Sequence, residues 1–113
     1  MCSVDSHIAK FEPEVSHRIM IMRKIASDIF INSTEKIYHG VITFFTQDGK
    51  EIINFGGFKD HISIWIGYDL VNFFKLRYPK LKYTKVTVQI SHNSDFPYEF
   101  VEEICKIINE RLD

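Results

Sequence analysis

The sequence contains little of what usually announces a chemistry. Cysteine occurs twice in 113 residues, as Cys2 and Cys105 at opposite ends. That spacing gives no zinc knuckle and no redox pair, excludes a disulfide framework, and fits a reducing, cytoplasmic setting. Glycine is scarce, and neither Gly56-Gly57 nor Gly67 sits in a phosphate-cradling pattern. No nucleophile elbow and no glycine-rich oxyanion loop accompany the serines, histidines and aspartates, which argues against a triad or nucleotide enzyme. Charge of one sign is not in surplus: the formal net charge is −1, so no global field favours nucleic acid or membrane. No apolar run reaches transmembrane length. The first ten residues carry Asp5 and Lys10 and show no secretory signal pattern. Repeats, linkers and low-complexity segments are absent.

What is present suits one globular domain. Hydrophobic residues make up 45% and aromatic residues 14% of the chain, enough for a real core. Residues 1–11 show no period and are expected to form a flexible N-terminal tail, followed by a single domain over 12–113. Glu12-Pro13-Glu14 opens a helix, since proline is favoured in a first turn and acids complement the positive helix end. Val15, Ile19, Met22, Ala26 and Ile29 give that helix one apolar face, ending near Asn32-Ser33. Ile37 to Thr46 reads as one strand or two. Asp48-Gly49 predicts a tight two-residue hairpin turn, and Glu51 to Phe55 pairs back. Gly56-Gly57 marks a bulge or a close backbone approach. His61 to Ile66 alternates cleanly. Asp69 is a candidate N-cap for a short helix bearing Leu70, Phe73 and Phe74 and stopped by Pro79. Tyr83 to Ser91 alternates again. Asp95-Phe96-Pro97 opens a last helix with Phe100, Val101, Ile104, Ile107, Ile108 and Leu112 on one side. The order predicts an α+β fold, a single antiparallel sheet with the N- and C-terminal helices on one face.

Such a fold leaves the other face of the sheet over. If Ile62, Ile64, Ile66, Val86, Val88 and Ile90 meet the helices, then His61, Ser63, Trp65, Tyr83, Lys85, Thr87 and Gln89 share the opposite face. Polar residues there need no special explanation. Trp65 does: either a loop, a terminus or a second subunit covers it, or it belongs to an aromatic and cationic platform for a ligand or peptide.

The remaining constellations are weaker. His7, His17, His39, His61 and His92 show no converging metal-ligand spacing. Cys105, on the buried side of the last helix, is not a candidate reactive thiol. Lys75, Arg77, Lys80, Lys82 and Lys85 interleave with Tyr78 and Tyr83, a pattern that can serve nucleic acid. One such patch on a domain of near-zero net charge reads instead as a solvated surface. Glu99, Glu102, Glu103, Glu110 and Asp113 make the outer side of the last helix acidic, again the usual pattern of a solvated helix.

Taken together, the segments resemble a known family. The leading helix is followed by Glu35-Lys36-Ile37-Tyr38-His39-Gly40. Then come a hairpin, Phe58-Lys59-Asp60-His61-Ile62-Ser63-Ile64-Trp65, Tyr83-Thr84-Lys85-Val86-Thr87-Val88-Gln89-Ile90 and a closing helix. Over roughly residues 12–112 this is similar to the YdhG-like family, a widespread domain of unknown function. The resemblance implies a compact two-layer α+β sandwich, close in shape to frataxin. It also implies, as an alternative function, a chaperone delivering ferrous iron for iron–sulfur or haem assembly. Weak iron ligands would then come from acids such as Glu12, Glu14, Asp28 and Glu35. The first helix departs from an acidic ridge, because Arg18, Arg23 and Lys24 balance Glu12, Glu14 and Asp28. Val41 also stands where the family usually has proline.

The sequence therefore predicts a non-enzymatic, cofactor-free binding domain whose open sheet face holds a small anionic or aromatic ligand or a protein partner. Tyr38 and Trp65 would supply stacking area, Lys59 and Lys85 would attract an anion, and His61 would add a donor or acceptor. A structural homodimer without a small ligand is the remaining alternative.

Overall fold

The computed structural model describes residues 4–112; Cys2 and Asp113 lie outside them. Four helices and six strands follow in the order α1 (Val4–Ile8), α2 (Pro13–Ile29), β1 (Thr34–Tyr38), β2 (Val41–Phe45), β3 (Glu51–Gly57), β4 (His61–Trp65), α3 (Tyr68–Arg77), β5 (Lys82–Tyr83), β6 (Thr87–Ser91) and α4 (Tyr98–Arg111). The strands form one sheet in the order β1-β2-β3-β4-β6-β5, antiparallel at every pairing. This is the expected α+β architecture. The helices cover one face, where Ile42, Phe44, Ile53, Phe55, Ile62, Ile64, Val88 and Ile90 meet Ile19, Met22 and Ala26 of α2 and Phe100 and Ile104 of α4. α3 joins the same layer through Phe74, whose ring stands edge-on to Phe100 at 5.2 Å.

Local chemistry accounts for most boundaries. Pro13 starts α2 at its first turn, where a missing N–H costs nothing. Arg18, weighed in the sequence only as a base balancing the acids of this helix, is buried at 9% exposure. Its guanidinium donates to the carbonyls of Ser94 (2.8 Å) and Ser91 (3.4 Å) and to Glu14 (3.2 Å), tying α2 to the loop before α4.

Five expectations need correction. The N-terminal segment is not a flexible tail through residue 11. Val4–Ile8 is helical, Val4 and Ile8 are buried, and Ser16 Oγ donates to the carbonyls of Ile8 (2.8 Å) and Phe11 (3.2 Å). Val4, Ile8 and Phe11 lie four and three apart, a helical spacing too short to stand out.

Asp48-Gly49 does mark a turn, but of three residues. Thr46 and Lys50 close it with a 2.8 Å backbone bond, and only Gly49 takes positive φ (89°). The two-residue turn lies at His39-Gly40, with φ of 53° and 80°, and splits Ile37 to Thr46 into β1 and β2.

Tyr83 to Ser91 is likewise not one strand. Residues 84–86 turn, Thr84 and Thr87 bond through their hydroxyls, and Val86 is 43% exposed rather than in the core. The cap of α3 is Gly67 at φ 91°, with Asp69 inside the first turn. The first long helix stops at Ile29, before the expected Asn32-Ser33.

β5 is only two residues long, at the sheet edge, paired to Val88 and Gln89 and flanked by exposed Lys80, Lys82 and Lys85. The basic stretch of the sequence thus borders that edge, while Arg77 pairs with Glu103 of α4.

Candidate functional site on the open sheet face

The open face follows from strand register. One row across the sheet runs Lys36, Thr43, Asn54, Trp65, Thr87. The next includes Tyr38 opposite Val41 on the β1–β2 pair, and Gly56, Ser63 and Gln89 across β3, β4 and β6. Trp65 is half-buried there, as expected of a residue beside solvent. His61, Ser63, Thr87 and Gln89 share the face as anticipated. Tyr83 does not. It pairs with Val88 on the helix side, and its hydroxyl donates to the carbonyls of Tyr78 (2.9 Å) and Phe74 (3.1 Å).

A depression of about 490 Å³ opens on this face. Tyr38 and His39 stand on one side of it, Trp65 and Phe58 on the other. From β1 to β4 is three inter-strand steps, about 14 Å at the backbone. Small groups contribute to the lining, Gly40 and Val41 among them. A Cβ on Gly56 would stand 2.6 Å from Val41 Cγ1, so the missing side chain is what lets Val41 close over the strand, while Phe58 Cε2 at 3.8 Å would be in ordinary contact. Gly57 has a parallel role towards the segment joining α1 to α2, where Phe11 Cε1 would lie 2.8 Å from an added Cβ.

Phe58 is the residue that sequence reasoning missed. Its ring stacks on His61 at 5.3 Å and 18°, and leans against Trp65 at 6.1 Å. The turn that carries it is pinned twice. Phe58 N–H donates to the His61 carbonyl at 2.8 Å, and His92 Nε2 reaches the Phe58 carbonyl at 2.7 Å. The glycine pair just before it was the available signal, as a mark of close approach: added Cβ atoms there would meet Val41 and Phe11.

A bulge sets the polar side. Phe45 pairs with Glu51 rather than Ile52, so the register slips between Phe44 and Phe45. Ile52 then packs towards the core, and Glu51 joins Asn54 at the depression. Asn54 Nδ2 donates to Glu51 Oε1 at 3.0 Å and to Thr43 Oγ1 at 2.8 Å.

Of the five residues expected at the site, Tyr38 and Trp65 line the depression, and His61 backs it through Phe58. Lys59 and Lys85 are not brought to it. Lys59 sits in the β3–β4 turn beside a different hollow bordered by Lys10, Phe11 and His92, and Lys85 lies in the β5–β6 turn. Neither lysine was on a strand position that faces the aromatic rings.

The four candidate iron ligands stay apart. Glu14 pairs with Arg18, Asp28 with Lys24 and Glu35 with Arg23. Glu12 and Asp28 bracket α2, about 24 Å from each other. Among the described residues no three His, Cys, Asp or Glu side chains gather where they could hold a metal ion. Cys105 is buried, and burial pushes its thiol up to about 12, far from thiolate chemistry at neutral pH. No helix of the described residues is long and apolar enough to cross a membrane.

Helices on one side of a six-stranded antiparallel sheet, with an aromatic hollow on the other, define the class: a two-layer α+β domain with one open face. No family model and no curated protein matches the sequence. Among solved structures the chain is similar to YdhG, a DUF1801-family protein of Bacillus subtilis. The TM-score is 0.81 over 96% of this chain and 90% of that one, at 18% identity. The fold is thus YdhG-like, as the sequence resemblance implied, and at that identity the likeness speaks to the fold alone.

Proposed function

We propose that this protein is a non-catalytic binding domain that seats a small ligand bearing a flat apolar group in the depression between Tyr38 and Trp65. The observation that carries this reading is the partial exposure of three aromatic rings around one hollow. Tyr38 is 38% and Phe58 43% exposed, and Trp65 is half-buried beside them. Aromatic side chains left at the rim of a concave apolar surface are the usual makings of a ligand site. Stacked His61 and pinned Phe58 hold that surface rigid, so little ordering entropy opposes binding. The iron-delivery reading has no comparable convergence of ligands in support of it.

Trp65 is the single tryptophan of the chain, so its emission reports on the site directly. A titration with a small aromatic such as benzyl alcohol should shift or quench that emission saturably. Amide resonances of Asn54 and Trp65 should move with the same midpoint. Binding that moves only resonances on the helix side of the sheet would refute the assignment.

A further inference from the structure

We infer that the ligand taken up on this face is a small organic cation, an alkylammonium or charged nitrogen group attached to an apolar body. The inference rests on the open-face reading and adds the charge of the occupant. Three observations support it.

The first is the charge of the lining. Glu51 is the carboxylate at the depression, and no lysine or arginine lines it. Lys36, on the same face, is not among the lining residues: its Nζ lies 4.7 Å over the ring of Phe45, which stands edge-on to Tyr38 at 5.4 Å, so that ring already engages its charge. Lys59 and Lys85 sit in turns elsewhere.

The second is the direction of the hydrogen-bonding groups. Ionised Glu51 can only accept. It fixes the Asn54 amide, because the nitrogen must face the carboxylate. Both Nδ2 hydrogens then have partners, in Glu51 and Thr43. The Asn54 group left to present is Oδ1, another acceptor. Thr43 takes one of these bonds and directs its own hydroxyl to the Val41 carbonyl at 3.5 Å. The polar corner of the hollow therefore offers acceptors, which suit an N–H donor or a cation and repel a carboxylate or phosphate.

The third is the set of rings. The faces of Trp and Tyr attract a cation through the ring quadrupole, and the attraction grows as water is displaced. A hollow with Tyr38 on one side and Trp65 with Phe58 on the other can place an ammonium among the rings and within reach of Glu51.

The test uses three ligands that share a benzyl group: benzyltrimethylammonium, benzyl alcohol and phenylmethanesulfonate. Each is titrated against the full chain by Trp65 emission and by amide shifts at Glu51, Asn54 and Trp65. The cation should bind about tenfold more tightly than the alcohol, and the sulfonate more weakly than either. Glu51→Gln should bring the cation to within about twofold of the alcohol. Lys36→Gln, on the same face, should keep the preference. A sulfonate that binds as well as the cation, or a preference that survives Glu51→Gln, overturns the charge assignment while leaving an aromatic site in place. Failure of all three ligands to touch the Trp65 face overturns the site and the charge assignment together.

Discussion

Trp65→Ala separates a surface aromatic from a core one, and its cost can be bounded from the structure. Trp65 projects from β4 away from the helices. Its ring contact is Phe58, at 6.1 Å, and solvent reaches its outer side. Removing it forfeits part of one side chain's burial and one aromatic pair, about 1–2 kcal/mol in all. Phe100 is the internal comparison. It is fully buried, with Phe74 at 5.2 Å and Tyr78 at 4.9 Å. Phe100→Ala should cost about 3–5 kcal/mol. At about 4 °C per kcal/mol for a chain near this size, the midpoints should fall by about 4–8 °C and about 12–20 °C respectively. Thermal unfolding gives both midpoints and urea unfolding both free energies, each followed by far-UV circular dichroism because Trp65→Ala removes the only tryptophan and with it the emission signal. The urea slope should be unchanged for Trp65→Ala, and binding of benzyl alcohol should be lost. Equal penalties for the two variants would mean that Trp65 is a core residue, and the open-face assignment would fail.

Arg18→Met removes the guanidinium from over Phe96 and the donor from the Ser94 carbonyl, while the Ser91 carbonyl still accepts from Ser94 N–H and Oγ, so stability should drop by about 1–3 kcal/mol in a denaturant melt; a change within about 0.5 kcal/mol would show the buried guanidinium to be incidental. Tyr83 supplies a pH dependence. Burial pushes its phenol up to about 12 from 10.0, so the folded state keeps a proton that the unfolded chain releases. That contribution is complete below pH 10 and is lost as pH rises from about 10 to about 12. Tyr83→Phe should be less stable at neutral pH, through loss of the one hydroxyl proton shared between the Tyr78 and Phe74 carbonyls, and should show a shallower decline across that window.

The parts of the fold that were legible in the sequence are those set by period and by proline. Val15, Ile19, Met22 and Ala26 place α2 on the core, and Pro13 and Pro79 mark a start and a stop in the expected positions. Ile62 and Ile64 fix which way Trp65 faces. The illegible parts depend on partners distant in the chain or on a single odd residue. Tyr83 alternates correctly with Thr87 and Gln89 but turns to the helix side because the chain reverses at 84–86. Arg18 gives no sign of burial in the sequence, because its carbonyl partners come from Ser91 at the end of β6 and Ser94 in the loop after it. Glu51 reaches the hollow only because one bulge shifts the register, and alternation alone gives no hint of a slip. Lys59 and Lys85 were grouped with Trp65 by their spacing from strand residues, yet both fall in turns, where spacing no longer predicts direction.

The two-residue strand β5 also has a colloidal consequence. A sheet edge is a template for another chain, and its hazard grows with the length of unpaired backbone it presents. Here the last ladder spans only Lys82 and Tyr83, and Lys80, Lys82 and Lys85 crowd it with like charge. A second copy approaching edge to edge would meet a short backbone register and a row of ammonium groups. Replacing those lysines with threonine or valine would leave the fold's interior untouched and should raise the tendency of two such edges to pair.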